Sequence, residues 1–205
     1  MIDKEKLNDL LLRLGSDVSS LLINARNIGN DYNQLVMMLN PKGAHKEPMS
    51  IYDRVLLEHF DRDGNLIGMR DSGWSPNGIT NVGFAEVAGL LLTDVGGTPF
   101  DYIAIGEGTT AFDPTQTALV SEVIRKSGTG TRVTGVVTND TAQLVTTFSS
   151  ADGLSGSDAI TESGVFNASS GGTMLCRQVF DVLNINWDAG DSLQVTWRIR
   201  IQQGS

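Results

Sequence analysis

Threonine is confined to one part of this chain, and that confinement constrains the fold more than any other feature. All seventeen threonines lie at Thr80 or later, whereas four of the five lysines lie within the first 46 residues. Threonine favours strands and turns, and its branched side chain makes it a poor helix former. The sequence therefore predicts a helical arm over residues 1–45 and a β domain over residues 46–205, with the boundary in the stretch 40–48, which contains two prolines and a glycine.

Length, charge and cysteine content exclude several classes of protein. A chain of 205 residues fits one domain with a short appendage. Its net charge of −9 argues against nucleic acid or an anionic membrane as the main partner, because both attract a basic face. No apolar run reaches the roughly 18 residues of a spanning helix. The single cysteine, Cys176, excludes an internal disulfide framework, and we expect a protein made in a reducing cytosol.

The first 45 residues carry an apolar stripe with alternating spacings of four and three residues. This spacing is the heptad pattern of a helix that packs against other helices. Gly15 and Gly29 are each followed by residues typical of a new helix start, so the stretch also fits two or three short helices. The ten stripe positions are Leu7, Leu11, Leu14, Val18, Leu21, Ala25, Ile28, Tyr32, Leu35 and Leu39.

Two interpretations of this stripe remain open. In the first, an amphipathic helix, or several short ones, folds onto the β domain. In the second, the stripe forms an interface between copies of the chain or with a larger partner. Apolar residues beside the stripe, including Leu10 and Leu22, widen the face beyond a two-stranded seam, which favours a trimer or a helix buried against a larger partner.

The rest of the chain is predicted to consist of antiparallel strands. Apolar and polar residues alternate over 193–201, the pattern of a half-buried strand. Asp63-Gly64 between two apolar stretches is a strong hairpin signal. Turn signals recur about every 8–12 residues, which predicts an antiparallel β-sandwich of jelly-roll-like type. Strands are expected at 54–60, 66–69, 101–106, 131–138, 143–149, 160–166, 173–181 and 183–187, with a short helical turn within 114–124.

No motif in the sequence predicts an active site. The segment 61–72 begins like a calcium-binding loop, but Leu66 stands where that loop needs glycine, so we predict a hairpin turn. His59 is expected to end a strand and Cys176 to be a small core residue. We therefore predict a protein that is not an enzyme and that holds no cofactor and no metal.

Three further groups of residues have a structural and a functional interpretation. The carboxylate pairs Asp188 with Asp191 and Glu107 with Asp113 could bind an ion, although turns use aspartate more often. The glycine-rich stretch 128–131 is predicted to be a mobile hairpin tip. The sequence contains three tryptophans that could stack on a sugar, of which Trp187 and Trp197 lie on apolar faces and Trp74 is the one expected to be exposed.

Five blocks of the β domain, taken in order, resemble a family of structural proteins from the virions of tailed bacteriophages. The resemblance covers about residues 80–201 and is carried by glycine and turn patterns. It implies a β-sandwich module that forms a symmetric oligomer on the particle, located in the virion after assembly in the host cytoplasm. The blocks are 100–111, an interrupted block made of positions 113–114, 117–119 and 122, and then 159–168, 171–177 and 189–197.

The resemblance and the apolar arm together predict a head fibre or capsid decoration protein. Residues 1–45 would form a homo-oligomer, expected to be a trimer, or dock on other virion proteins. One alternative is a tail-fibre or tail-adaptor subunit with a receptor-binding role. Another is a carbohydrate-binding module that uses Trp74. An enzyme such as a depolymerase would need a pair of carboxylates facing one cleft.

Overall fold

The computed structural model describes residues 49–76, 78–92 and 95–203. The predicted arm over residues 1–45 and its ten stripe positions lie outside the described residues. Within the described part, the chain forms nine strands and one α-helix, α1. The elements are β1 (Met49–Phe60), β2 (Leu66–Asp71), α1 (Asn81–Leu90), β3 (Tyr102–Gly106), β4 (Glu122–Ser127), β5 (Thr129–Val133), β6 (Thr141–Ser149), β7 (Ser157–Phe166), β8 (Met174–Asn186) and β9 (Ser192–Gln203).

The strands form two antiparallel sheets, which confirms the prediction of a mainly β domain. One sheet has the order β2-β1-β9-β6-β5 and the other the order β4-β3-β7-β8. Each odd-numbered strand up to β7 pairs with the strand that follows it, and β9 closes the larger sheet between β1 and β6. The predicted hairpin at Asp63-Gly64 is the β1–β2 connection.

The main core contains side chains from both sheets. Val55 and Leu57 of β1 and Trp197 of β9 are fully buried, as are Ile103 and Ile105 of β3. The indole nitrogen of Trp197 donates a hydrogen bond of 2.9 Å to the hydroxyl of Ser163, which links the two sheets through the core. The predicted alternation is confirmed for the first half of β9, whereas Ile201, farther along the strand, is 45% exposed.

The prediction of a hairpin tip at 128–131 is wrong. Gly128 lies between β4 and β5, which belong to different sheets, so the chain crosses there from one sheet edge to the other. The Gly128 amide donates to the Asp101 carbonyl at 2.8 Å, and a Cβ on Gly128 would lie only 2.8 Å from the Leu144 side chain. Glycine is needed at this crossing because the two sheets approach each other closely there.

The helix α1 was not predicted, and the helical turn predicted within 114–124 is reduced to a single turn at 114–115, which the Gln116 amide closes by donating to the Asp113 carbonyl at 3.0 Å. Thr80 caps α1 by accepting a hydrogen bond from the Gly83 amide at 2.9 Å. The Thr80 amide in turn donates to the Leu175 carbonyl on the edge of β8, at 2.9 Å. A Cβ on Gly83 would lie 2.5 Å from that carbonyl oxygen, so the helix depends on a close backbone contact with β8 that the sequence pattern does not reveal.

Candidate functional site

A long loop covers the outer face of the four-stranded sheet. We call residues 107–121, which connect β3 to β4, the capping loop. Every residue of β7 from 160 to 166 is buried, because the main core covers one face of this strand and the capping loop covers the other. Leu119 of the loop packs with Ala104, Phe166 and Met174 in a second, smaller core. The strand predicted at 160–166 is therefore buried on both faces.

A fully buried carboxylate holds this loop in place. The Glu162 side chain, on the outer face of β7, accepts hydrogen bonds from three capping-loop amides. Its Oε1 accepts from Gly108 at 3.0 Å and from Ser121 at 2.7 Å, and its Oε2 accepts from Val120 at 3.1 Å. Both ends of the loop are thus attached to one side chain.

Arg177 on β8 neutralises this carboxylate and anchors the middle of the loop. Its Nε donates to Glu162 Oε2 at 2.6 Å, and both side chains are fully buried. Its Nη1 donates to the side-chain oxygen of Gln116 at 3.1 Å, and its Nη2 donates to the Thr110 carbonyl at 2.9 Å. The guanidinium therefore contacts the loop at two points and the sheet at one.

The glycines of the motif Ile105-Gly106-Glu107-Gly108 follow from this arrangement. A Cβ on Gly108 would overlap the carboxylate of Glu162, and a Cβ on Gly106 would overlap the Ser121 carbonyl oxygen. The Glu107 side chain points to the other end of β7, where it accepts a hydrogen bond from the Ala159 amide at 2.9 Å. This motif brings the loop close to the sheet.

The arrangement fixes one face of the capping loop and leaves the other in solvent. The charges of Glu162 and Arg177 compensate each other, and the two side chains form their hydrogen bonds with each other and with the loop. On the outside, Thr109, Thr115 and Val120 are exposed. The cluster can therefore hold the loop in one conformation, with these three side chains in solvent.

A second buried carboxylate lies under the stretch that leads into α1. Asp53 on β1 is fully buried and accepts hydrogen bonds from the Gly78 amide at 3.2 Å and the Gln178 side chain at 2.6 Å. Burial raises the pKa of Asp53 from 3.8 to about 6, against the opposing effect of these two hydrogen bonds. Burial, with the nearby Asp53 charge, also raises the pKa of the Cys176 thiol. Cys176 is fully buried, which confirms its prediction as a core residue.

The remaining candidates from the sequence have structural partners. His59 lies in β1, and its Nε2 is 2.8 Å from the carboxylate of Asp191, which also accepts a hydrogen bond from the Asn186 amide. Asp191 is thus paired with His59 and not with Asp188. Asp113 accepts from the amide of Thr115 at 2.8 Å, as expected of a turn aspartate.

The three tryptophans do not form a joint platform. Trp187 and Trp197 are buried in the core, as predicted. Trp74 is half-buried, and the guanidinium of Arg200 lies over its ring at 4.1 Å from the centroid. One face of the Trp74 ring is therefore already covered by a cation.

Among residues 49–76, 78–92 and 95–203, no three histidine, cysteine, aspartate or glutamate side chains are grouped so that they could hold a metal ion. In the same part of the chain, no helix has the length and apolar character required to cross a membrane. No family model, no curated protein and no solved structure matches this chain.

Proposed function

We propose that the chain is a structural component of a tailed-phage virion, a head fibre or capsid decoration protein without enzymatic activity. In this proposal the β domain, with the jelly-roll-like organisation that the spacing of the turn signals predicts, is displayed on the particle. Residues 1–45 form the helical arm that oligomerises the chain or docks it on another virion protein. The alternative within this class is a tail-fibre or tail-adaptor subunit.

The observation that carries the proposal is where the five blocks of the resemblance lie. The blocks contribute Gly106 and Gly108, the Gly108 amide that donates to the ion pair, and Glu162 and Arg177 themselves. The last block contributes Trp197, which donates to Ser163 next to Glu162. The residues that carry the resemblance are therefore used to fix an exposed loop. Such use is typical of a display module, since a catalyst would need reactive groups that remain free.

The apolar stripe of the arm supports the second half of the proposal. Ten apolar residues at heptad spacing give a helical segment more apolar surface than it can bury alone. Symmetric association of several copies would bury this surface, and repetition on a particle would strengthen weak contacts through avidity.

Replacing Leu21 by aspartate is expected to disrupt the assembly through the arm. The new carboxylate would lie in the middle of the stripe, where burial of an unpaired charge is strongly unfavourable. Light scattering on the full chain should show a trimer for the wild type and a smaller species for Leu21→Asp. The control is Ser20→Asp, which adds the same charge one residue away and outside the stripe, and which should keep the wild-type mass.

Two outcomes would contradict this half of the proposal. An unchanged mass and melting curve for Leu21→Asp would mean that the stripe is not an interface. A wild type that is monomeric would overturn self-association and leave docking on another virion protein as the role of the arm.

The location on the particle has its own test. Gold-labelled antibodies against the β domain, applied to particles of the source phage, are expected to label the head in electron micrographs. Label on the tail would favour the tail-fibre or adaptor alternative. Labelled free protein together with unlabelled particles would contradict a virion role of either kind.

A further inference from the structure

A cavity of about 500 Å³ opens between the two sheets, away from the capping loop. Strands β5, β6 and β9 line one side of this cavity, and the end of α1 with residues 99–101 lines another. Most of its surface is apolar, and several of the side chains that line it belong to the main core. The apolar lining includes Leu90, Phe100, Leu144, Val165, Leu175 and Ile199.

Two charged side chains, Arg132 and Asp101, also line the cavity. Both residues are exposed, and in the described part of the chain neither side chain forms an ion pair or a hydrogen bond. Other arginines of this domain are engaged: Arg54 pairs with Asp71, and Arg125 pairs with Glu122. The guanidinium of Arg132 is thus a cation with open donors at the wall of an apolar cavity.

We propose that this cavity binds an amphiphilic monocarboxylate, with the apolar part inside and the carboxylate paired with Arg132. The volume lies in the usual range for small-molecule pockets, about 300–1,000 Å³, and such pockets combine apolar walls with a few polar groups. A guanidinium presents a planar set of donors that matches a carboxylate, so it would select the head group. This proposal does not depend on the virion proposal or on the capping loop.

Asp101 restricts the charge of this ligand. Asp101 lines the same cavity, and its carboxylate would repel a second negative charge on the ligand. A dianion such as a phosphate monoester is therefore disfavoured. The Asp101 carboxylate can still accept a hydrogen bond from a hydroxyl or amide of the ligand. A single negative charge on an apolar body therefore fits both charged residues.

The probes that test this proposal are decanoate and decanol, which share a chain length and differ in charge. Isothermal titration calorimetry on the full chain, below the micellar concentration, should show saturable decanoate binding with a Kd of about 10 μM to 1 mM. Arg132→Gln is expected to weaken decanoate binding about tenfold, because the charged hydrogen bonds are lost, and to change decanol binding less than about twofold. Arg62→Gln, at an exposed arginine in the β1–β2 turn, is the control and should bind both probes like the wild type.

A second variant tests the location. Ala142 is exposed on β6 and lines the cavity, so Ala142→Phe would fill part of the space with a residue that strands tolerate well. This variant should keep the wild-type melting temperature and lose binding of both probes. The proposal is overturned if decanoate shows no saturable binding to the wild type up to about 10 mM. It is also overturned if Arg132→Gln binds decanoate like the wild type, or if Ala142→Phe does so.

Discussion

Replacing Arg177 by methionine is expected to lower the free energy of unfolding by about 3–5 kcal/mol, the usual cost of breaking a buried ion pair. Methionine keeps most of the apolar stem and removes the guanidinium. The carboxylate of Glu162 would then remain fully buried without its counter-charge. Gln116 and the Thr110 carbonyl would lose their donors as well, so the middle of the capping loop would detach.

Urea denaturation followed by the fluorescence of the buried tryptophans measures this effect. Glu162→Gln should have a cost of similar size, since it leaves the guanidinium buried and uncompensated. The double variant should cost less than the sum of the two single variants, because the pair is lost only once.

The exposed ion pair Arg54–Asp71 supplies the matched control. Its two side chains are 29% and 30% exposed to solvent. Asp71→Asn should therefore lower the free energy of unfolding by at most about 1 kcal/mol. If Arg177→Met and Asp71→Asn lowered the stability by the same amount, the buried pair would not be the element that fixes the loop.

The second large effect is a loss of stability with rising pH that depends on Asp53. The pKa of this group is raised from 3.8 to about 6 on folding, so the folded state holds the proton more tightly than the unfolded state. The stabilisation from the neutral form is complete below pH 3.8 and is lost as the pH rises through 6. Between about pH 4.5 and about pH 7.5, this loss should amount to about 2 kcal/mol.

Asp53→Asn isolates the effect from other titrating groups. Asparagine is uncharged at every pH, and its carbonyl oxygen can still accept from the Gly78 amide, while Gln178 can turn its own oxygen toward the new amide. The difference in unfolding free energy between this variant and the wild type should therefore rise by about 2 kcal/mol over that pH range. A difference that stays constant with pH would show that Asp53 titrates in the folded state as it does in the unfolded chain.

The sequence contained enough information to predict the strands that face solvent on one side. In β9, Leu193, Val195 and Trp197 alternate with polar residues because one face of the strand meets the core, where these three side chains are fully buried. The β1–β2 hairpin was predictable because its turn depends on local residues, above all Asp63-Gly64. Both signals arise within about ten residues of chain.

Elements that depend on distant contacts could not be predicted in this way. The helix α1 contains two glycines, and one of them is required by the close approach of Gly83 to Leu175, some ninety residues later in the chain. Apolar and polar residues alternate only weakly in β4. This strand ends where the chain passes through Gly128 into β5, which belongs to the other sheet. Periodicity reports burial along one element and gives no account of such crossings.

The ion pair under the capping loop was missed for a related reason. Glu162 and Arg177 lie within blocks of the resemblance, and the pattern over 160–166 predicts an ordinary strand. A charged residue inside an otherwise apolar strand is a signal of a buried partner, and two such residues of opposite sign occur on β7 and β8. Reading these two residues together would have indicated the pair, although not the loop amides that complete it.

The pairing of β1 with β9 has a mechanical consequence. Met49 and Gln203 are Cα partners at the same end of this pair, so the described chain enters and leaves the larger sheet side by side. A pulling force applied between these two residues would act across the strands and open the ladder one rung after another, because its hydrogen bonds lie perpendicular to the strands. A domain of this geometry bears load poorly as an in-line link of a shaft. Suspended from residue 49 alone, it transmits no tension through its own fold and keeps its loops undistorted.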